Sequence, residues 1–231
     1  MLIGGLLKFS LIDYPGKVAA VVFTQGCNYR CPFCHNPELV LPELFTEPLA
    51  VDEVLGFLEK RRGQLQGVVI TGGEPTLHEG LKAFIRRVKA MGYLVKLDTN
   101  GSRPQVLRGI LDENLVDLIA MDIKASPAGY ARATGGRGVL EDVRASIDLI
   151  KRSGIDHIFR TTALKGFLTP EDLAAIVALL GPVRKYKLQR GIVSDKILDR
   201  SLLDGPGGFS DEEWGRLQRA LDANISVDSQ S

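Results

Sequence analysis

Residues 26–36 read GCNYRCPFCHN, and they contain all three cysteines of the 231-residue chain, Cys27, Cys31 and Cys34. Thiolates are soft ligands that suit iron–sulfur clusters and zinc. A closed metal site needs four ligands, so three thiolates leave one position open for a substrate or cofactor. The stretch therefore predicts a metal centre around which the rest of the fold is arranged.

Two other interpretations of this stretch are open on the cysteines alone. Their spacing would also place the thiols on one face of a helix, but Gly26 and Pro32 interrupt helical hydrogen bonding and favour a loop. A closed zinc site with His35 or Asp13 as the fourth ligand is the second alternative, because zinc also takes thiolates at short spacings.

The composition is that of an ordinary globular protein, with 45% hydrophobic residues, 25% charged residues and a formal net charge of +1. This charge offers no basic field for nucleic acid, and no apolar stretch is long enough to cross a membrane. Residues 1–8 lack the pattern of a signal peptide, and three clustered cysteines do not resemble a secreted disulfide framework. We expect a cytoplasmic protein with reduced thiols and neither a nucleic-acid nor a membrane partner.

Short apolar runs alternate with amphipathic segments along the chain. The apolar runs are typical of strands buried on both faces, and they cover 18–24, 67–71, 93–99, 116–124, 155–163 and 183–190. The amphipathic segments predict helices at 51–62, 79–91, 104–113, 139–153, 170–180 and 211–222. Alternation of this kind predicts parallel βαβ units.

Six parallel strands are too few to close the usual eight-stranded barrel, so we predict an α/β fold, an open partial (β/α)6 barrel. The chain is short enough to form a single domain over residues 1–231. Within it we expect residues 1–17 to form a short N-terminal extension, a hairpin ahead of the main fold. The polar residues 224–231 are expected to form a frayed tail.

Polar residues follow the predicted strands, where the active sites of parallel α/β proteins gather. Gly72 and Gly73 either form a tight turn or let the backbone approach a ligand. Glu74 beside them would accept a hydrogen bond from a substrate ammonium. Asp98 and Asp122 would hold a cation or a ribose, or else remain solvated carboxylates.

Two basic residues at later strand ends favour an anionic ligand. Lys124 and Arg160 would face a carboxylate, because the guanidinium of arginine offers a fixed bidentate fork. Arg160 lies within a strand-like run, so we expect it to be partly buried and paired. No side chain among these residues is a convincing general base.

The loop CNYRCPFC (27–34) and the segment TGGEP (71–75) resemble the cluster loop and the methionine-binding motif of the radical S-adenosylmethionine enzymes. In that family three cysteines hold a 4Fe–4S cluster, and the amine and carboxylate of S-adenosylmethionine chelate the fourth iron. One electron then cleaves the cofactor to methionine and a 5′-deoxyadenosyl radical. The resemblance implies that the loop lacks a fourth ligand because the cofactor supplies it.

A closer resemblance, to the activating enzymes of glycyl radical enzymes, extends from about Asp13 to Gln189. It is carried by CHNP (34–37), LDTNG (97–101), MDIKA (121–125) and FRTTAL (159–164). The opening SLIDYPGKVAAVVFTQGC (10–27) is most similar to the anaerobic ribonucleoside-triphosphate reductase activating proteins. The resemblance implies hydrogen abstraction from a glycine of a large partner, an anaerobic ribonucleotide reductase, with reduced flavodoxin or ferredoxin as electron donor.

The same resemblance implies roles for individual residues of this chain. Cys27, Cys31 and Cys34 would hold the cluster. The residues implied in cofactor binding are Phe33, His35, Gly72, Gly73, Glu74, Asp98, Asn100, Asp122, Lys124 and Arg160. A monovalent cation is implied near Asp98, Thr99, Met121 and Asp122. No side chain is given a catalytic role, because the cofactor carries the radical chemistry.

Residues 35–70 contain no cysteine, so the second cluster of some activating enzymes is not expected.

Two alternatives to an activating enzyme remain open. The main alternative is a radical S-adenosylmethionine enzyme acting on a small molecule, such as a 7-carboxy-7-deazaguanine synthase. A non-enzymatic alternative is a zinc-stabilised binding module or an electron carrier.

Overall fold

A computed structural model describes residues 1–194, 196–199, 201–202 and 207–225. Its strands are β1 (Ile3–Ser10), β2 (Ala19–Thr24), β3 (Gly67–Gly72), β4 (Leu94–Thr99), β5 (Leu118–Asp122), β6 (Asp156–Ala163) and β7 (Tyr186–Arg190). Its α-helices are α1 (Val51–Lys60), α2 (Leu81–Ala90), α3 (Pro104–Asp112), α4 (Tyr130–Ala133), α5 (Leu140–Ser153), α6 (Pro170–Leu180) and α7 (Asp211–Asn224).

All seven strands form one sheet whose order follows the chain. β1 pairs antiparallel with β2, and every later pair of neighbours is parallel. Since β1 and β7 lie at opposite ends of this order, the parallel strands β2–β7 form an unclosed barrel. The predicted α/β class and the open partial barrel of six parallel strands are confirmed.

The predicted strands and helices are present, with their ends displaced by at most three residues. The start of the chain differs from the expectation in one respect: β1 pairs with β2 and extends the main sheet, so it is not a separate hairpin. Of the predicted tail, residues 226–231 lie outside the described residues. No helix in the described part of the chain is long and apolar enough to span a membrane.

The two faces of the sheet have different surroundings, because successive side chains of a strand point to opposite sides. On the outer face, residues such as Ile70 and Phe159 belong to the large hydrophobic core beneath the helices. On the inner face, Tyr14 and Val69 belong to a smaller cluster near the beginnings of the strands. Asp98 and Asp122, polar residues of the inner face, lie at the C-terminal ends of β4 and β5, at the edge where the cysteine loop (27–34) follows β2.

Candidate active site

A cavity of about 230 Å³ lies at the C-terminal ends of the parallel strands. Its walls include the three cysteines and all ten residues implied in cofactor binding: Cys27, Cys31, Phe33, Cys34, His35, Gly72, Gly73, Glu74, Asp98, Asn100, Asp122, Lys124 and Arg160. Of the residues implied around a monovalent cation, Met121 is not part of this lining. Six further residues complete the lining: Tyr29, Asn36, Val40, Thr71, Thr99 and Thr162. The fold brings the predicted set together, and the contacts of each residue with a ligand remain predictions.

The cysteine loop, residues 27–34, supplies three free thiols to this cavity. Cys31 is 8% exposed, and Cys27 and Cys34 are half-buried. Within the described residues, no three histidine, cysteine, aspartate or glutamate side chains form a group that could hold a single metal ion. Asp13, considered above as a fourth zinc ligand, accepts a hydrogen bond from Ser10 Oγ at 2.5 Å and is not part of the cavity lining.

The donor set fits an iron–sulfur cluster that keeps one coordination position open. The loop provides three soft thiolates, and the chain contains no fourth cysteine. The carboxylate of Glu74, which also lines the cavity, is already occupied by hydrogen bonds within the protein. A small molecule in the cavity would thus meet the open position of such a cluster.

Backbone hydrogen bonds tie the cysteine loop to distant parts of the chain. The Arg30 N–H donates to the carbonyl of Thr134 at 3.1 Å. The N–H groups of Leu198 and Asp199 donate to the carbonyls of Cys34 and Pro32 at 2.9 and 2.8 Å. Sequence reasoning missed these anchoring segments, because backbone contacts of this kind require no particular side chain.

Gly72 and Gly73 are required by the close packing of the TGGEP segment against the entrance to the cysteine loop. Gly72 has a φ of 108°, and a Cβ on it would lie 2.4 Å from the nitrogen of Thr24. A Cβ on Gly73 would lie 2.1 Å from the carbonyl oxygen of Gly26. The N–H groups of Gly73 and Glu74 donate to the carbonyls of Thr24 and Gly26, both at 2.8 Å. These glycines therefore hold two loops together, whichever ligand they also approach.

Glu74 is 1% exposed and acts as a hydrogen-bonding centre inside the protein. Its carboxylate accepts from Thr76 N at 3.1 Å, from Thr99 Oγ1 at 2.8 Å and from Asn100 N at 2.6 Å. Burial raises the pKa of Glu74, while these hydrogen bonds oppose the rise. The observed contacts join the TGGEP segment to the loop after β4, and a direct contact with a ligand ammonium remains a prediction.

Asn100 connects the loop after β4 to the cysteine loop. Its Nδ2 donates to Asn28 Oδ1 at 3.0 Å and lies 4.0 Å from Cys27 Sγ. Its Oδ1 accepts from the N–H of Ser102 at 2.9 Å, so both ends of the amide are used. The side chain is thereby placed beside one of the three thiols, where an N–H donor would face a metal-bound sulfur.

Phe33 and His35 lie at different depths of the cavity. Phe33 is buried, and its ring meets that of Phe167 edge to face with 5.1 Å between centroids. The guanidinium of Arg132 lies over the Phe167 ring, 4.7 Å from its centroid. His35 is exposed at the rim. The predicted contact of Phe33 and His35 with an adenine is compatible with these positions and remains a prediction.

Three basic and two acidic side chains form a continuous ionic network on the inner face of the sheet. Arg160 donates through Nε to Asp122 and through a terminal nitrogen to Asp98 at 3.0 Å. Lys124 donates to Asp122 at 2.9 Å, and Lys96 donates to Asp98. The pairing follows from the strands, because Asp122 lies beside Arg160 in register and Lys96 shares the inner face of β4 with Asp98. The network carries one excess positive charge and suits an anionic ligand group.

The charges of this network are mutually stabilised. Burial alone would raise the pKa of Asp122, but Arg160 and Lys124 hold it well below its usual value. Burial alone would lower the pKa of Lys124 and Arg160, but their carboxylate partners raise both. Burial also raises the pKa of Cys27 to about 11 and that of Cys31 to about 12, with Lys124 opposing the rise. Metal binding by these thiols must therefore release protons.

Comparison with known proteins agrees with this geometry. A family model described as the Radical SAM superfamily matches residues 21–180. A protein of Methanocaldococcus jannaschii that is named provisionally as a glycyl-radical enzyme activating enzyme is 32% identical over 194 residues, covering 82% of this chain and 79% of its own. The pyruvate formate-lyase-activating enzyme of Clostridium pasteurianum is 30% identical over 194 residues, covering 78% of this chain and 78% of its own.

A solved structure shows the same fold. SuiB of Streptococcus suis, bound to S-adenosylmethionine, has a TM-score of 0.68 at 13% sequence identity. The similarity covers 91% of this chain and 50% of SuiB, so this chain spans about half the length of that protein. At this level of identity the likeness concerns the fold alone.

Proposed function

The chain belongs to the radical S-adenosylmethionine superfamily and is an enzyme, and we propose that it activates a glycyl radical enzyme by removing hydrogen from a partner glycine. Two relatives similar over most of their length are named as activating enzymes, which supports this class. The finer proposal is that the partner is an anaerobic ribonucleotide reductase and that the electron donor is a flavodoxin or ferredoxin. It rests on the similarity of residues 10–27. We further propose that the chain works as a single domain in the cytoplasm, where its thiols stay reduced.

One cavity joins the three thiols to a network with an excess positive charge, and this observation carries the proposal. Cys27, Cys31 and Cys34 would hold a 4Fe–4S cluster, and the cavity would hold S-adenosylmethionine. When bound, the cluster and S-adenosylmethionine supply the radical chemistry that hydrogen abstraction requires. Lys124 and Arg160 would orient the carboxylate of the cofactor, because both are fixed by Asp122 before it arrives.

The unclosed side of the barrel supports a polypeptide substrate. A groove beside β7 includes Gln189 and Arg190, and it shares His35 and Thr162 with the main cavity. A loop of a partner protein lying in this groove would bring a backbone glycine to the cavity. A free heterocycle, the alternative substrate, would need only the cavity itself.

Mixing the protein with candidate partners tests the proposed function. We expect anaerobically reconstituted protein, dithionite and S-adenosylmethionine to generate a glycyl radical signal in an anaerobic ribonucleotide reductase, measured by electron paramagnetic resonance. The control is the same partner with its radical glycine replaced by alanine, which lacks the stabilised Cα radical. Turnover of a free deazapurine precursor, with no radical in any glycyl radical enzyme, would instead support the small-molecule alternative.

Replacing Arg160 by methionine should weaken S-adenosylmethionine binding about 10- to 100-fold, the loss of one charge-assisted hydrogen bond of about 1.5–3 kcal/mol. Each aspartate keeps a lysine partner, so the fold should persist while the excess positive charge is lost. Isothermal titration calorimetry measures the change. Arg144→Met, at an exposed position of α5, is the matched control. Equal affinity in Arg160→Met and the wild type would remove the carboxylate role from Arg160.

A further inference from the structure

Lys96 is a buried lysine in the middle of a parallel strand. The residue is 4% exposed and lies on the inner face of β4, in register with Val69 on one side and Leu118 on the other. An ammonium in such apolar surroundings is costly unless it is paired. Its partner is Asp98, two residues later on the same face, whose Oδ1 accepts a hydrogen bond from Lys96 Nζ.

Every carboxylate oxygen of the network has a cationic donor. Asp98 Oδ1 accepts from Lys96, and its Oδ2 accepts from Arg160 at 3.0 Å. Asp122 Oδ1 accepts from Arg160, and its Oδ2 accepts from Lys124 at 2.9 Å. A sodium or potassium ion bound by the same two carboxylates would be the fourth positive charge beside two negative ones, and like charges at this depth repel strongly.

The other two residues that the resemblance implies around a cation are committed elsewhere. Thr99 Oγ1 donates to Glu74 at 2.8 Å and accepts from the N–H of Gly101 at 3.1 Å. Met121 is fully buried, and its Cε occupies the space where a side chain on Gly101 would lie. Neither side chain is available beside Asp98, and the carboxylate oxygens of Asp98 and Asp122 already have cationic donors, so the side chains present do not fit a monovalent cation.

We propose that the ammonium of Lys96 is a built-in counter-ion of Asp98, and that it takes the place of a dissociable monovalent cation at the wall of the cofactor cavity. The inference rests on the proposed function only in that S-adenosylmethionine is the ligand next to the network. Lys96 pairs with Asp98, which in turn accepts a hydrogen bond from one arm of Arg160. Cofactor binding by this protein is then indifferent to which monovalent cation is in solution.

The test compares S-adenosylmethionine binding in potassium, sodium and tetramethylammonium chloride at equal ionic strength, using anaerobically reconstituted protein and calorimetry. For the wild type we expect the same dissociation constant in all three salts, within about 2-fold, because no small cation binds. For Lys96→Met we expect binding about 10-fold weaker in tetramethylammonium and largely recovered in potassium, since Asp98 then lacks one cationic partner. Lys89→Met, which removes the lysine paired with Asp117 outside the cavity, should show no salt-specific change.

Unfolding temperatures of the same samples without S-adenosylmethionine give an independent readout. The wild type should unfold at the same temperature in potassium and tetramethylammonium, and Lys96→Met should be stabilised by potassium. A saturable potassium effect on wild-type affinity or unfolding temperature would overturn the inference, as would Lys96→Met behaving like the wild type. If Lys96→Met does not fold, the wild-type salt series decides. If S-adenosylmethionine binds in no salt, the proposed function fails, and the unfolding temperatures still decide the role of Lys96.

Discussion

Replacing Cys31 by alanine should abolish iron–sulfur loading and every reaction that depends on it. Cys31 is the most buried of the three thiols, and its carbonyl also accepts the Cys34 N–H at 3.0 Å within the loop. With three cysteines in the chain, its loss leaves two thiolates, fewer than a site-differentiated cluster needs. We expect about four irons per chain and a brown colour in the anaerobically reconstituted wild type, and less than about one-tenth of that iron in the variant.

The measurement combines iron and sulfide content with the yield of 5′-deoxyadenosine after addition of dithionite and S-adenosylmethionine. Glu38→Ala is the control, because Glu38 lies shortly after the cysteine loop, is exposed and is not part of the cavity lining. The control should load iron and form product like the wild type. Full activity of Cys31→Ala, or a colourless wild type containing one zinc, would contradict the cluster assignment.

The composition of the cavity was predictable because parallel strands deliver their C-terminal residues to one edge. Asp122 and Arg160 illustrate this: they are 38 residues apart in sequence but lie beside each other in register on β5 and β6. Sequence periodicity places a residue on a strand and on a face, and that is sufficient to bring such groups together. It is also why the three cysteines and the ten residues implied in cofactor binding line one cavity.

The pairing of those residues was not predictable in the same way. Lys96 interrupts an apolar strand, and only its position two residues before Asp98 hinted at a shared face. The hydrogen bonds from Thr99 and Asn100 to Glu74 depend on how two loops approach each other. No periodic pattern in the sequence predicts the relative position of two loops. The pairing of β1 with β2 in the main sheet likewise depends on tertiary packing of a weakly alternating segment.

Replacing Gly73 by alanine should reduce iron loading several-fold, although Gly73 is not expected to touch the metal. The added Cβ would lie 2.1 Å from the carbonyl oxygen of Gly26 and 3.1 Å from that of Leu39. Both obstacles are backbone, and Gly26 is itself held by a hydrogen bond from its N–H to the Leu39 carbonyl at 2.8 Å. To avoid this clash the backbone at Gly26 must move, and this displaces the adjacent Cys27.

Gly56→Ala is the matched control for Gly73→Ala, because a Cβ on Gly56 would meet no heavy atom within 4 Å and the residue lies inside α1. Alanine there should load iron fully and raise the free energy of unfolding by about 0.5–1 kcal/mol, since glycine is a poor helix former. Gly73→Ala should lower it by about 1–3 kcal/mol, the usual cost of overpacking. Iron content and chemical denaturation measure both effects. Wild-type loading in Gly73→Ala would show that the cysteine loop does not depend on this contact, and Gly73 would then be explained by approach to the cofactor alone.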